Sequence, residues 1–257
     1  MKLDGKTILV TGSTSGVGAA IARKCHGEGA NIVLHGLVEA EGEAVRESLG
    51  ERVVFHRLDL TQPGAAEELV QAAVEAFGGL FAVVNNAAVF PRATIEDSDA
   101  QLFDDTMAVN ARAPLMLCKA AADELEKTRG VIVNIGSINA YCGEANLLVY
   151  SMSKGALMTM TRSLGEYLQY TKGICSYQLN LGWVLSENER RRKIDEGLPE
   201  DWYERQPREV SPHGKLLTPE EIAVMAFPFV SGDMRPTSGS VIELEQFPVI
   251  GRNPTKE

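Results

Sequence analysis

Short apolar runs alternate with longer amphipathic segments along most of the chain. Most of the runs are continuously apolar, as strands buried on both faces of a parallel sheet are. They predict strands at 7–10, 31–35, 53–57, 80–85, 131–135, 174–180 and 241–244. The segments between them predict helices at 17–28, 40–49, 65–77, 100–127, 149–170 and 219–230. We therefore expect an α/β fold with a doubly wound parallel sheet and helices on both faces.

The same pattern predicts one domain over residues 1–257, because no repeat, low-complexity tract or linker interrupts it. This length is within what a single α/β domain can occupy. The segment 184–214 departs from the alternation, since it is charged and carries Trp202 and Tyr203. An insertion of that length in a compact domain is typical of a functional lid. We expect it to cover a substrate.

Composition narrows the classes of partner. The formal net charge is −10 at pH 7, which argues against nucleic acid or an anionic membrane. The chain shows no apolar run long enough to cross a bilayer and no secretory leader, so we expect a cytoplasmic protein. Its four cysteines are scattered without C-x-x-C spacing, and its four histidines are dispersed. These patterns favour free thiols and no metal site.

The first candidate motif is a glycine-rich turn that follows the first predicted strand and opens the first predicted helix. Gly12, Gly16 and Gly18 have the spacing G-x-x-x-G-x-G. Glycines allow close approach of the backbone to a pyrophosphate, and a helix amino terminus offers free N–H groups to it. The spacing differs from the G-x-G-x-x-G fingerprint and from a Walker A loop. It nevertheless favours a dinucleotide site.

The second candidate motif is Tyr150-x-x-x-Lys154, in which a phenol and an ammonium share one face of a helix. Alone, such a pair is common on solvated helix surfaces. Here Ser137 follows the fifth predicted strand and Asn110 lies in the long fourth helix. The interpretation depends on whether these residues meet.

Taken together, the motifs resemble those of the short-chain dehydrogenase/reductase family, and the resemblance extends over nearly the whole chain. The turn of Gly12 resembles the family's cofactor turn, Asp59 its adenine-contacting aspartate, and the segment 85–88 its N-N-A-G strand end. Two positions depart from the pattern. Ala88 replaces a glycine, and Leu181 replaces the proline of the usual Pro-Gly, so the nicotinamide face is expected to differ.

The resemblance implies a Rossmann fold, an NAD(P)-dependent oxidoreductase acting on an alcohol or ketone, and a homotetramer. It implies a set of four catalytic residues: Asn110, Ser137, Tyr150 and Lys154. It also implies cofactor contacts from Gly12, Ser15, Gly16, Val17, Gly18, His35, Gly36, Asp59, Leu60, Asn86, Ala87, Ala88, Tyr150, Lys154, Gly182, Val184 and Ser186.

Physical chemistry gives these four residues compatible roles. Oxidising an alcohol requires a base, and a free tyrosine with a pKa near 10 is a poor one at neutral pH. The ammonium of Lys154 and an oxidised nicotinamide are both expected to lower the pKa of Tyr150. Ser137 is expected to hold the substrate oxygen. Asn110 is expected to hold a water that connects Lys154 to solvent.

We expect NAD rather than NADP as the cofactor. The end of the second strand, 34–39, carries no arginine, and the glycine turn supplies no basic residue between Gly12 and Gly16. Glu39, if it reaches back to the turn, would repel an adenosine 2′-phosphate.

The substrate is expected to be small and polar. Five residues near the predicted site are candidate contacts: Arg92, Ser137, Asn139, Tyr141 and Trp183. They suit a sugar, polyol or hydroxy acid. The charged run 187–193 is either a solvated helix face or the source of an arginine that captures an anionic substrate.

Four other functions fit the sequence less well. A 3-oxoacyl or carbonyl reductase using NADPH and a non-catalytic dinucleotide sensor are alternatives with the same fold. A nucleotide-sugar epimerase is disfavoured because the chain lacks G-x-x-G-x-x-G and a larger substrate domain. A serine hydrolase is disfavoured because no G-x-S-x-G elbow occurs.

Overall fold

A seven-stranded parallel sheet forms the centre of the protein, whose computed structural model describes residues 1–204, 206–209 and 211–249. The strand order is β3-β2-β1-β4-β5-β6-β7. The strands are β1 (Thr7–Val10), β2 (Asn31–Gly36), β3 (Val53–Arg57), β4 (Ala82–Asn85), β5 (Val131–Ser137), β6 (Cys175–Leu181) and β7 (Ser240–Leu244). The predicted fold class is confirmed.

Helices cover both faces of the sheet. They are α1 (Gly16–Gly27), α2 (Glu39–Leu49), α3 (Ala65–Phe77), α4 (Ala100–Met107), α5 (Ala113–Thr128), α6 (Asn139–Cys142), α7 (Leu148–Lys172), α8 (Glu187–Asp195) and α9 (Pro219–Val230). Along β1, Ile8 and Val10 join a core with α1, α2 and α9. Leu9 between them joins the core with α3, α5 and α7. Successive side chains of a strand point to opposite faces, so a continuously apolar strand serves two cores.

The order of the strands reverses between β1 and β4, the neighbours from which the sheet is built outwards in both directions. A crevice forms at the carboxyl ends of strands where the order reverses, and ligands of doubly wound sheets bind there. The ends of β1, β4, β5 and β6 therefore define the place where a site is expected.

The helix predicted at 100–127 is not continuous. A π-helical turn, Ala108–Arg112, separates α4 from α5. Pro114 lies in the first turn of α5, and a proline ring inside a helix clashes with the carbonyl four residues earlier, here that of Asn110. A widened turn relieves that clash, and such turns are frequent at functional sites.

A chain of buried polar side chains crosses the sheet beneath the crevice. Asn85 donates to Asn134 (2.8 Å), and Asn134 donates to Thr161 (2.8 Å). Thr161 contacts Gln178 (3.2 Å), and Gln178 donates to Asn180 (2.7 Å). All five residues are at most 4% exposed. We call this set the amide chain; it links β4, β5, α7 and β6 through side-chain hydrogen bonds.

Candidate active site

A cleft of about 550 Å³ opens at the carboxyl ends of the central strands. Every residue predicted to contact a cofactor lines it, except Gly18. These residues come from the glycine turn, the ends of β2 to β6 and the start of α7. The topology therefore brings together residues that are up to about 170 positions apart in sequence, between Gly12 and Ser186.

The glycine turn depends on its glycines in two ways. Gly12 and Gly16 have φ angles of +60° and +54°, in the left-handed region that favours glycine. A Cβ on Gly18 would lie 2.4 Å from the oxygen of Gly12 and 2.5 Å from Nδ2 of Asn86. Gly18 thus allows α1 to pack closely on the turn, and its predicted contact with the cofactor is not supported by the cleft lining.

His35 holds this turn from beneath. Its Nδ1 accepts a hydrogen bond from the backbone N–H of Gly12 (3.2 Å), so Nε2 carries the proton and donates to the carbonyl of Leu58 (2.8 Å). Burial lowers the pKa of His35. The imidazole is therefore neutral at neutral pH and supports the backbone that faces the cleft.

Besides Asp59, the acidic residue that lines the adenosine end of the cleft is Glu41 rather than the predicted Glu39. Glu41 lines the cleft and accepts a hydrogen bond from Thr14 of the glycine turn (3.3 Å). Arg57, at the end of β3, donates to the carbonyl of Leu37 (3.1 Å). Among the described residues that line the cleft, Lys154 is the one with a cationic side chain.

Tyr150 and Lys154 lie one turn apart on α7 and point into the cleft. Lys154 is 3% exposed, and its Nζ donates to the carbonyl of Ile135 (2.8 Å). The same nitrogen lies 5.6 Å from the centre of the Tyr150 ring. Burial lowers the pKa of Lys154 to about 8. At pH 7 the ammonium form therefore still dominates, but by a narrower margin than for an exposed lysine.

The phenol of Tyr150 is affected by burial more than by Lys154. Burial raises the pKa of Tyr150, a hydrogen bond with Ser137 lowers it, and the charge of Glu144 raises it further. We expected Lys154 and an oxidised nicotinamide to lower this pKa. With the protein's own groups alone, the net pKa shift is upward, because desolvation of the phenolate is the largest effect.

Asn110 lies in the π-helical turn, and its side chain faces the segment after β4. Nδ2 donates to the carbonyl of Val89 (2.7 Å) and to Oγ of Ser153 (3.0 Å), and Oδ1 accepts from the N–H of Val89 (2.9 Å). Both amide hydrogens are engaged. The side chain therefore fixes the backbone at Val89, and the water that we expected beside Lys154 stays a prediction.

A second cavity of about 370 Å³ adjoins the cleft and shares Ser137, Tyr150 and Trp183 with it. Arg92 and Asn139, both predicted substrate contacts, line this cavity. Tyr141 does not, because its hydroxyl interacts with Asn180 of the amide chain. Sequence reasoning missed four lining residues, Phe90, Ile138, Glu144 and Leu147, whereas Glu189, Arg192 and Lys193 belong to the charged run 187–193.

The charged run 187–193 forms α8, which lies over this cavity. Arg191 is 69% exposed and pairs with Glu187, as a solvated helix face would. Arg192 lines the cavity, but its guanidinium makes bonds of 2.7 Å to both oxygens of Glu189. Lys193 also lines it and pairs with Glu196 (2.8 Å). The run is therefore solvated at some positions and lines the cavity at others, so neither the solvated face nor the substrate-binding arginine describes its whole length. The expected lid also includes positions 205 and 210, which lie outside the described residues.

The described ranges contain neither a metal-binding cluster nor a membrane-spanning helix. No group of three or more histidine, cysteine, aspartate or glutamate side chains there could hold a metal ion. No helix within those ranges is both long and apolar enough to cross a membrane.

Comparison with known proteins gives consistent results. A profile described as short chain dehydrogenase matches residues 6–197. A Thermotoga maritima protein named as an uncharacterized oxidoreductase is 33% identical over 95% of this chain and 98% of its own length. The D-beta-hydroxybutyrate dehydrogenase of Cupriavidus necator is 29% identical over 95% and 97%, respectively. The L-fucose dehydrogenase of Rattus norvegicus is 39% identical over 63% of this chain and 60% of its own length.

Proposed function

The chain belongs to the short-chain dehydrogenase family and is an NAD(P)-dependent alcohol dehydrogenase or reductase, and we propose that Tyr150, Lys154 and Ser137 carry its chemistry. The observation that supports this most directly is the junction of the two cavities. Tyr150 and Ser137 line both the cleft and the smaller cavity. An alcohol in the smaller cavity would contact the phenol at the wall it shares with the cleft.

The cleft fits a dinucleotide. A Cβ on Gly12 would lie 2.9 Å from Cα of Ala87, so the turn presents bare backbone at the floor of the cleft. The amino terminus of α1 offers N–H groups for a pyrophosphate, and Ser15 and Ser186 offer hydroxyls from opposite sides. Lys154 is placed for the nicotinamide ribose. The bound nicotinamide would supply the hydride acceptor for oxidation or the donor for reduction.

We assign the proton chemistry to the chain's own residues. Tyr150 takes the hydroxyl proton during oxidation and returns it during reduction, while Ser137 holds the same oxygen by a hydrogen bond. Lys154 keeps an ammonium 5.6 Å from the centre of the phenol ring at neutral pH, where it would stabilise negative charge that develops on the phenol. Asn110 serves as a positioning residue, because it holds the Val89 backbone that both cavities adjoin through Phe90.

For the substrate we propose a sugar, polyol or hydroxy acid. The smaller cavity combines polar and charged groups with three aromatic side chains, Phe90, Tyr150 and Trp183. Arg92 lies 3.9 Å from Glu196, and its Nη1 donates to the amide oxygen of Asn146 (2.8 Å), so its remaining N–H groups can reach a polar substrate. Two relatives are named for a hydroxy acid and for a sugar, which supports the same classes.

We propose NAD as the preferred cofactor. Glu41 at the adenosine end would repel a 2′-phosphate, and the cleft-lining residues that the structure describes offer no arginine to bind one. The ratio of kcat/KM for NAD and NADP measures this preference. A ratio that favours NADP would contradict it.

The test of the catalytic assignment is Tyr150→Phe, assayed across sugars, polyols and hydroxy acids by nicotinamide absorbance. We expect kcat to fall at least about 1,000-fold, since the variant lacks the acid–base group. Cofactor affinity should change little. Tyr170→Phe is the matched control, because Tyr170 lies on the same helix but is 92% exposed.

Normal turnover in Tyr150→Phe would refute the catalytic assignment. If the wild-type protein binds the cofactor tightly yet oxidises no alcohol in the panel and reduces no ketone, the sensor alternative gains support. Activity confined to 3-oxoacyl substrates with NADPH would support the reductase alternative.

A further inference from the structure

The segment that follows β6 forms the wall between the two cavities. Gly182 and Trp183 line both of them, beside Ser137 and Tyr150. The family's usual proline is absent from this segment, since Leu181 occupies its position. Something other than a proline ring must therefore hold the wall.

Hydrogen bonds from both neighbouring strands hold it. The carbonyl of Leu181 accepts from the N–H of Ile138 (3.0 Å), and the N–H of Gly182 donates to the carbonyl of Leu244 (3.3 Å). After Gly182 the backbone hydrogen bonds between β6 and β7 end, and the next N–H is bonded by a side chain instead. The N–H of Trp183 donates to Oε2 of Glu245 (3.3 Å).

Glu245 follows β7, and both of its carboxylate oxygens are used. Oε1 accepts from the N–H of Gln246 (2.6 Å), which fixes the carboxylate relative to its own backbone. A Cβ on Gly182 would lie only 1.4 Å from Oε2. Gly182 does not have a positive φ angle, so the close approach of Glu245, rather than the backbone conformation, requires a glycine there.

The side chain of Trp183 is held separately. Its Nε1 donates to Glu189 of α8 (2.8 Å), and its ring stacks on Trp202 with a centroid distance of 5.4 Å. These contacts orient the ring, but they do not fix the backbone to which it is attached. Glu245 supplies that constraint from the other side of the wall.

We propose that Glu245 is a positioning residue for the reaction. Its carboxylate holds the backbone of Gly182 and Trp183 and so sets the distance between the nicotinamide end of the cleft and the substrate cavity. This role rests on the proposed function for its kinetic consequence. It does not require Glu245 to touch the substrate or the cofactor.

The first test compares Glu245→Ala and Glu245→Gln with the wild-type enzyme. We expect kcat/KM for the alcohol to fall about 10- to 100-fold in Glu245→Ala, because displacements near 1 Å at a reacting centre cost that much. The dissociation constant of the cofactor should change less than about threefold, since the glycine turn is untouched. Glu245→Gln keeps one acceptor oxygen and should recover part of the activity.

The matched control is Glu243→Gln, which lies two residues away on β7 and accepts from the N–H of Val249. It should leave kcat/KM within about twofold of wild type. Equal losses in Glu243→Gln and Glu245→Gln would overturn the proposal, because they would indicate a general effect of loosening β7.

The second test is a double-mutant cycle with Gly182→Ala. In the wild-type background the added methyl group must displace the carboxylate, so its effect should match that of Glu245→Ala. In the Glu245→Ala background the same methyl group should cost little. Additive losses would overturn the proposal, because the methyl group would then act on the cofactor directly.

An optical readout separates this proposal from the proposed function. The chain has two tryptophans, Trp183 and Trp202, and they stack on each other at this wall. Glu245→Ala should change tryptophan emission and the near-ultraviolet circular dichroism, while Glu243→Gln should not. If the wild type oxidises no alcohol, the proposed function fails. Unchanged spectra in Glu245→Ala would contradict only the positioning role of Glu245.

Discussion

At the scale of single residues, burial changes the chemistry that the sequence predicts. The spacing of Tyr150 and Lys154 correctly places both on one face of α7. Their pKa shifts depend on depth, because burial raises the pKa of Tyr150 and lowers that of Lys154 to about 8. How deeply a side chain is buried depends on packing between segments distant in sequence, and the neighbouring residues do not indicate it. Sequence alone therefore predicted the pair but not the direction of the tyrosine shift.

The identity of the acid near the adenosine end shows the same limit. Glu39 and Glu41 are two residues apart, and the sequence favoured the first. In the structure α2 begins at Glu39, and Glu41 meets Thr14 of the glycine turn. Which of the two glutamates reaches the glycine turn depends on where α2 begins relative to Thr14, which lies 27 positions before Glu41.

Glu41 gives a prediction at this scale. Glu41→Gln removes a negative charge from the adenosine end but keeps an acceptor for Thr14. We expect the NAD-to-NADP ratio of kcat/KM to fall about fivefold or more, since like charges near a 2′-phosphate oppose its binding. The change should come from improved NADP kinetics, and it should weaken at high salt.

The control for this variant is Glu39→Gln, which removes the same charge one half-turn earlier. It should leave the ratio almost unchanged. A larger effect from Glu39 than from Glu41 would contradict the structure of the cleft.

At the scale of elements, the sequence located most helices and strands within one or two residues. Apolar periodicity is local, so β1, β3, α3 and α9 begin and end where the pattern indicates. The exceptions are α6 and α8, which were not among the predicted helices, and the helix interrupted by a π-helical turn, Ala108–Arg112. The signal was Pro114, whose ring cannot be accommodated opposite Asn110 in a regular turn. We did not use that signal.

The π-helical turn allows a second prediction. Asn110→Leu removes three hydrogen bonds, two to the backbone of Val89 and one to the buried hydroxyl of Ser153. We expect the free energy of unfolding to fall by about 2–4 kcal/mol, from the loss of these three bonds. Activity should fall as well, because Phe90 lines both cavities. Urea unfolding followed by circular dichroism measures the stability.

Asn31→Ala is a suitable control for Asn110→Leu. Its side chain makes one long hydrogen bond, 3.4 Å to the carbonyl of Gly5, near the surface. A loss below about 1 kcal/mol is expected there. Similar losses in the two variants would contradict the role of Asn110 as a clamp.

At the scale of the whole molecule, the buried charge of Lys154 connects stability to pH. The pKa of Lys154 is about 8 in the folded protein and 10.5 in the reference state. Between these values the unfolded chain binds the proton and the folded protein does not. The free energy of unfolding therefore rises with pH through this window, by about 3 kcal/mol at most. Below pH 8 both states are protonated and the slope disappears.

The measurement is urea unfolding of wild type and Lys154→Met from pH 7 to about 11. Subtracting the variant removes the titrations that the two proteins share. The wild-type stability should rise relative to the variant between pH 8 and 10.5. A difference that stays constant across this range, or falls, would show that folding does not lower the pKa of Lys154.

The amide chain has a consequence for how the sheet is assembled. Asn85 and Asn134 bond each other only when β4 and β5 pair in the observed register, and Thr161 of α7 joins Asn134 to Gln178 only when β6 lies beside β5. A slip by one residue would turn these amides to the opposite face, where they would be buried without partners. Apolar strands such as β1 do not discriminate in this way. The polar residues therefore specify the order and register of strands that are otherwise similarly apolar. A misassembled sheet is destabilised because its buried amides lack hydrogen-bond partners.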